Sequence, residues 1–131
     1  MPPGTIYPLG YADSNTEPTL EAIMQRPDVL LVDIRLVPQS RWRPQWNKST
    51  LQGRWGERYL HKKQLGNIHF RDSNKPIRLL DPDQAIQDLA QLLQSGTDIV
   101  LLCACKNYDM CHRRVIVERL KALLPEVEVH L

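Results

Sequence analysis

Apolar runs bounded by turn residues alternate with amphipathic stretches along this chain, the pattern of strands and helices laid over a mostly parallel sheet. Thr5 to Leu9 reads as a first strand ending at Gly10. A polar loop, Ala12 to Pro18, and a short helix, Thr19 to Gln25, follow, the helix carrying Leu20, Ile23 and Met24. Val29 to Ile34 is a near-continuous apolar run, which suits a strand covered on both faces. No period fits Arg35 to Pro44, and its two prolines mark an irregular excursion. A helix is expected from about Lys48 to Gly56, then a short strand around Arg58 to His61 and a polar loop from Lys62 to Pro76.

In Asp81-Pro82-Asp83-Gln84 an N-cap precedes a proline at the first helical position and a glutamine three residues after the cap. The helix that starts there has Ile86, Leu89, Ala90, Leu92 and Leu93 at helical spacing, and Ser95-Gly96 stops it. Ile99 to Cys103 is wholly apolar and belongs in the centre of a sheet. A last helix, capped by Asp109, should bury Val115, Ile116, Leu120 and Leu123. Pro125 ends it, and Val127 to Leu131 forms a final strand. The expected fold class is α/β, a three-layer sandwich with a mostly parallel central sheet, as a single domain over residues 1–131.

With 131 residues and 42% hydrophobic content the chain can build a packed core. It has no apolar run of about 18 residues, and its opening MPPGTIYPLGY lacks the basic start and apolar stretch of a secretory signal. A soluble, cytoplasmic protein with no membrane partner is expected. Cys103, Cys105 and Cys111 lie within nine positions, a tight odd-numbered cluster rather than a disulfide framework, which fits reduced thiols. Net charge is only +2, but from Arg35 to Lys63 eight cations face one acid, Glu57, and all three tryptophans share that stretch.

The segment from Cys103 to Arg114 runs off the central strand into the start of a helix, the junction where open parallel sheets bind ligands. Unpaired amides and the helix dipole favour an anion there, and Arg113 adds to the preference. A thiol at such a place tends towards thiolate, so Cys111 or Cys105 can be nucleophilic and His112 can serve as acid or base. Cys103 is equally readable as a small buried apolar residue, and the Cys111-His112 pair as a cap with a solvated basic turn. Zinc is the competing reading of the three cysteines and His112. The pairs C-x-C and Cys-His fit zinc spacing poorly, because neighbours on a helix point about 100° apart, so neither a metal nor a cofactor is expected.

Asp33 and Arg35, two apart at the end of the second strand, point to the same side. Asp33 can orient Arg35 or His112 or act as a general base, Arg35 and Arg41 can clamp a phosphate or carboxylate, and His61 reaches the same rim. The Asp-Arg pair can also simply satisfy itself. In Arg41-Trp42-Arg43-Pro44-Gln45-Trp46 cations interleave with aromatic planes, a combination that nucleic acids exploit, although tryptophans at such spacing are more often core.

Together these residues give a resemblance. Gly10, Val32-Asp33-Ile34-Arg35 with Pro38, Ser40 and Arg41, Tyr59-Leu60-His61 with Leu65-Gly66, and Leu101-Leu102-Cys103-Ala104 with Cys111-His112-Arg113 resemble the bacterial and archaeal family numbered 488 among domains of unknown function (DUF488). The resemblance implies a compact α/β sandwich with the Asp-x-Arg and Cys-His-Arg motifs converging at one edge, and carries no established reaction.

The leading functional expectation is an enzyme for an anionic, phosphate-bearing or nucleotide-like substrate. Cys103 or Cys111 is its candidate nucleophile, His112 its acid or base, and Arg35, Arg41 and Arg113 its anion binders. The alternatives are a non-catalytic nucleic-acid or nucleotide-binding module using the same arginines with Trp42, Arg43 and Trp46, or a thiol or metal-binding module. Oligomeric state is left open.

Overall fold

The structure, a computed structural model, describes residues 2–72, 74–105 and 107–131. Ser73, in the polar loop, and Lys106, between Cys105 and the last helix, lie outside the described residues. Five parallel strands form one sheet in the order β3-β2-β4-β1-β5, where β1 is Thr5–Gly10, β2 Leu30–Asp33, β3 Tyr59–His61, β4 Ile99–Cys103 and β5 Glu128–Val129. Four α-helices connect them: α1 Thr16–Met24, α2 Lys48–Trp55, α3 Pro82–Gln94 and α4 His112–Leu123. Among the described residues no helix is long and apolar enough to cross a membrane.

The three layers follow from the alternation along β4. All five of its residues are buried. Ile99, Leu101 and Cys103 pack with Ile86, Leu89 and Leu93 of α3 and Ile116, Val117 and Leu120 of α4. Val100 and Leu102 pack on the other face with Leu20 and Met24 of α1 and Leu51 of α2. A strand with a helical layer on each face cannot afford a polar position, which is why IVLLC shows no alternation of type. Each such buried aliphatic side chain contributes about 1.5–3 kcal/mol.

The connections leaving β1 and β2 go to one face of the sheet and the one leaving β4 goes to the other. Since β4 lies between β1 and β2, crevices open at the carboxyl ends of all three strands, where such sheets hold ligands. Gly10 is level with Cys103 and Asp33 with Leu102, so both halves of the expected site end at the same height.

Several boundaries differ from the sequence reading. Helix α1 begins at Thr16 rather than Thr19, because Pro18 falls in its first turn, where no intrahelical N–H partner is needed. The Thr16 hydroxyl donates to the Gly10 carbonyl at 2.6 Å and ties this helix to the end of β1. The cap of α4 is Cys111, not Asp109, which belongs to a separate 3-10 turn, Tyr108–Met110. The buried stripe is Ile116, Val117 and Leu120 with the C-cap Leu124, while Val115 is half-buried and Leu123 exposed. Asp81 occupies the cap position of α3 but its side chain makes no capping bond.

Candidate functional site

Asp33 stands at the end of β2, Cys103 at the end of β4, and Cys111, His112 and Arg113 at the start of α4. Gly10 ends β1 because nothing larger fits: an ideal Cβ would lie 1.7 Å from the Cys105 carbonyl oxygen and 3.0 Å from Arg113 Nη2. That close approach lets the ladder continue past both strands, with the Tyr11 N–H donating to Cys103 O at 3.0 Å and the Ala12 N–H to Ala104 O at 3.1 Å. Gly10→Ala is therefore expected to cost at least about 1–3 kcal/mol in urea unfolding. Gly53→Ala, on the open face of α2 with nothing within 4 Å, should instead stabilise by about 0.5–1 kcal/mol.

At the end of β2, Asp33 is fully buried and both its oxygens are occupied. Oδ1 accepts from Arg35 Nε at 2.8 Å and from the Arg35 N–H at 3.2 Å, while Oδ2 accepts from Arg35 Nη2 at 2.6 Å and the Tyr59 hydroxyl at 2.5 Å. Burial and then Asp33 push the Tyr59 phenol well above its ordinary range. Burial alone would lower Arg35, but the Asp33 hydrogen bonds and charge outweigh it and hold the guanidinium firmly protonated. Arg35 Nη2 also donates to the Trp46 carbonyl at 2.6 Å. Arg35 Nη1 is buried and makes no hydrogen bond among the described residues, and the guanidinium carbon lies 5.4 Å from the centre of the Tyr11 ring.

The second half is built on sulfur. Cys111 Sγ lies 3.0 Å from Cys103 Sγ and 2.7 Å from Cys105 Sγ, with His112 Nδ1 at 3.6 Å and Arg113 Nε at 3.4 Å. Hydrogen bonds from Cys103 and Cys105 hold the Cys111 thiol far below its usual value against the opposing effect of burial, with His112 adding to the fall. Burial pushes Cys103 well up, the two neighbouring thiols adding to it. For His112 burial works downwards, yet Cys105 and Cys111 carry it up to about 9. The four ligand atoms of Cys103, Cys105, Cys111 and His112 all lie within 4.8 Å of one another. The spacing argument against such a cluster fails because Cys111 is not a helical residue: as the cap of α4 its backbone is extended, at φ −111° and ψ 150°, so it and His112 can face the same point.

His112 joins the two halves, since its Nε2 lies 2.9 Å from the Ile34 carbonyl. A carbonyl only accepts, so Nε2 carries a proton and Nδ1 is the nitrogen turned to the sulfurs. Beside this junction a cavity of about 320 Å³ opens between Tyr11, Arg35, Val37, Asn67, Phe70, Cys105 and His112.

Cys103, Cys111, His112 and Arg113 thus come together, and Asp33 and Arg35 meet them through Ile34. Others stand apart. The Arg41 guanidinium lies 5.2 Å over the exposed Trp42 ring and does not line the cavity. His61 donates from Nε2 to the Arg35 carbonyl at 2.8 Å, bracing that backbone rather than reaching the cavity. Trp46 is 3% exposed and stacks on Tyr11, so of the three residues of the expected nucleic-acid face it is withdrawn into the core, while Trp42 and Arg43 are exposed and Arg43 donates to the Tyr11 carbonyl. The sequence reading passed over Tyr11, Asn67 and Phe70 as cavity walls and gave Cys105 too little weight. Its two-residue spacing from Cys103 was the available signal, since such residues share a side of an extended chain.

The fold and site define an α/β three-layer protein with a buried arginine and a sulfur-imidazole cluster at the carboxyl edge of its sheet. The family model described as Domain of unknown function DUF488 matches residues 20–120, and the chain belongs to that family. No curated protein and no solved structure matches it.

Proposed function

We propose that the chain is an enzyme for a small anionic substrate, carboxylate- or phosphate-bearing, held in the cavity between Arg35 and Cys105. The observation that carries this reading is Arg35, a residue lining the cavity whose buried Nη1 makes no hydrogen bond among the described residues. A buried N–H without an acceptor costs about 1–3 kcal/mol, and an anionic oxygen in the cavity would recover it with a charge-assisted bond. Asp33, itself held by the Tyr59 hydroxyl, and the Trp46 carbonyl hold Nε and Nη2, so the guanidinium is fixed in place before any ligand arrives. Asp33 is then a positioning residue rather than a general base, because its oxygens are already engaged.

A volume of about 320 Å³ takes a small molecule, at the low end of ligand pockets. Tyr11, Val37 and Phe70 accept its apolar part and Asn67 offers an amide. Cys105 and His112 are the reactive groups that face it. Cys103 and Cys111, at 0% and 1% exposure, act only through Cys105 and His112.

Titration with inorganic phosphate, pyrophosphate and simple carboxylates, followed by amide chemical shifts, tests the reading. Perturbations should centre on Tyr11, Arg35, Asn67 and Ala104, and Arg35→Lys should weaken binding about 10–100-fold. Asn67→Ala, which leaves the buried pair intact, should weaken it less. Anions that shift no cavity amide, or that bind Arg35→Lys as well as the unaltered chain, would sink the proposal.

A further inference from the structure

We propose that Cys103, Cys105, Cys111 and His112 form a binding site for one thiophilic divalent cation of the zinc class. Three cysteines and one histidine are a ligand set that closes a tetrahedral zinc site. Here they come from two elements, the end of β4 and the start of α4, and their ligand atoms share a sphere in which no two are more than 4.8 Å apart.

The geometry matches a tetrahedron in kind and nearly in size. With Zn–S of about 2.3 Å and Zn–N of about 2.0–2.1 Å, a tetrahedron has sulfur-nitrogen edges of about 3.6 Å and sulfur-sulfur edges of about 3.8 Å. Cys111 Sγ to His112 Nδ1 is 3.6 Å. The sulfur pairs, at 3.0 and 2.7 Å, need to part by about 1 Å to reach those edges.

Three features around the cluster suit a cation as well. His112 donates its Nε2 proton to the Ile34 carbonyl, the outer bond that metal-bound histidines make and that leaves Nδ1 as the ligand. Arg113 Nε stands 3.4 Å from Cys111 Sγ, a donor that offsets the surplus negative charge of three thiolates on one divalent ion. Cys111 lies close to two other sulfurs, at 3.0 and 2.7 Å, which a single disulfide does not explain but a common centre does. A site with four protein ligands is closed, so the ion would lock the β4–α4 junction and, through Ile34, the end of β2. The inference stands whether or not the cavity takes an anion.

The test is metal content of the full chain, freed of any polyhistidine tag and purified from zinc-supplemented medium under reducing conditions. About one zinc per chain is expected. Cobalt exchanged into it should give the visible bands of a tetrahedral thiolate site, together with sulfur-to-cobalt charge-transfer absorption. Cys105→Ser, the half-buried ligand, should keep the fold, lower that absorption by about a third as three thiolates become two, and weaken metal affinity by more than the 10–100-fold typical of losing an outer partner. Chains that fold without metal and give no cobalt spectrum on titration would overturn the proposal. So would an intact mass short of two hydrogens, showing a disulfide in the cluster of the protein as isolated. Phosphate titration of the same samples reads the cavity separately, so loss of either result leaves the other interpretable.

Discussion

Asp33→Ala is expected to destabilise the chain by about 3–5 kcal/mol, the usual cost of removing one partner from a buried ion pair. The substitution strands the Arg35 guanidinium, 5% exposed, without its counter-charge and without two of its three side-chain hydrogen bonds, and it also removes the acceptor of the buried Tyr59 hydroxyl. For a domain with about 5–15 kcal/mol of total stability that is a large share. Asp33→Ala combined with Arg35→Met should recover much of the loss, because an apolar replacement of both partners leaves no uncompensated charge. Urea midpoints of the two variants decide the matter. A single mutant as stable as the unaltered chain, or a double mutant no better than the single one, would mean that Asp33 is not what holds Arg35.

Trp46→Ala should cost about 3–5 kcal/mol, and Trp42→Ala no more than about 0.5 kcal/mol, although the two tryptophans stand four residues apart in one basic stretch. Trp46 is 3% exposed, stacks on Tyr11 with ring centres 5.2 Å apart and planes at 14°, and belongs to the core beneath α1 and α2. Trp42 is 84% exposed. Thermal unfolding is the simplest measurement: a fall of roughly 10–20 °C for Trp46→Ala against almost none for Trp42→Ala. Equal falls would contradict the packing. Because Tyr11 lines the cavity and the Trp46 carbonyl holds Arg35, residual folded Trp46→Ala should also bind anions more weakly.

The cavity and the sulfur cluster share a wall, Cys105 and His112. A cation held by all four ligands would leave no open position for an anion, and it would tie up the thiol otherwise open to the cavity. Thiol reactivity therefore reports on both: alkylation of Cys105 should be slow in the metal-loaded chain and speed up after chelation.

The order of strands and helices was written in the sequence, because it rests on local pattern: an unbroken apolar run for β4, helical spacing in α3, proline and glycine as stops. The two motifs were also visible, since each is a short segment, one at the end of β2 and one at the start of α4. Element edges were less so. The start of α1 at Thr16 and of α4 at His112 depended on which backbone groups find partners elsewhere, and no propensity encodes that.

Tertiary structure alone decided how the motifs are used. His112 reaches the Ile34 carbonyl across 78 residues of sequence, and Asp33 meets Tyr59 across 26, because β2 lies between β4 and β3. Sequence spacing spoke against Cys103, Cys105, Cys111 and His112 as one ligand set, since it assumes a helical Cys111, and the extended cap removed that objection. Composition could not separate Trp46 from Trp42, nor tell that Asp33 would spend both oxygens on its neighbours while Arg35 Nη1 stayed buried without a hydrogen bond among the described residues. Local chemistry sets which elements form; which side chains share a point in space is set by the crossings of the sheet, and these depend on the whole chain at once.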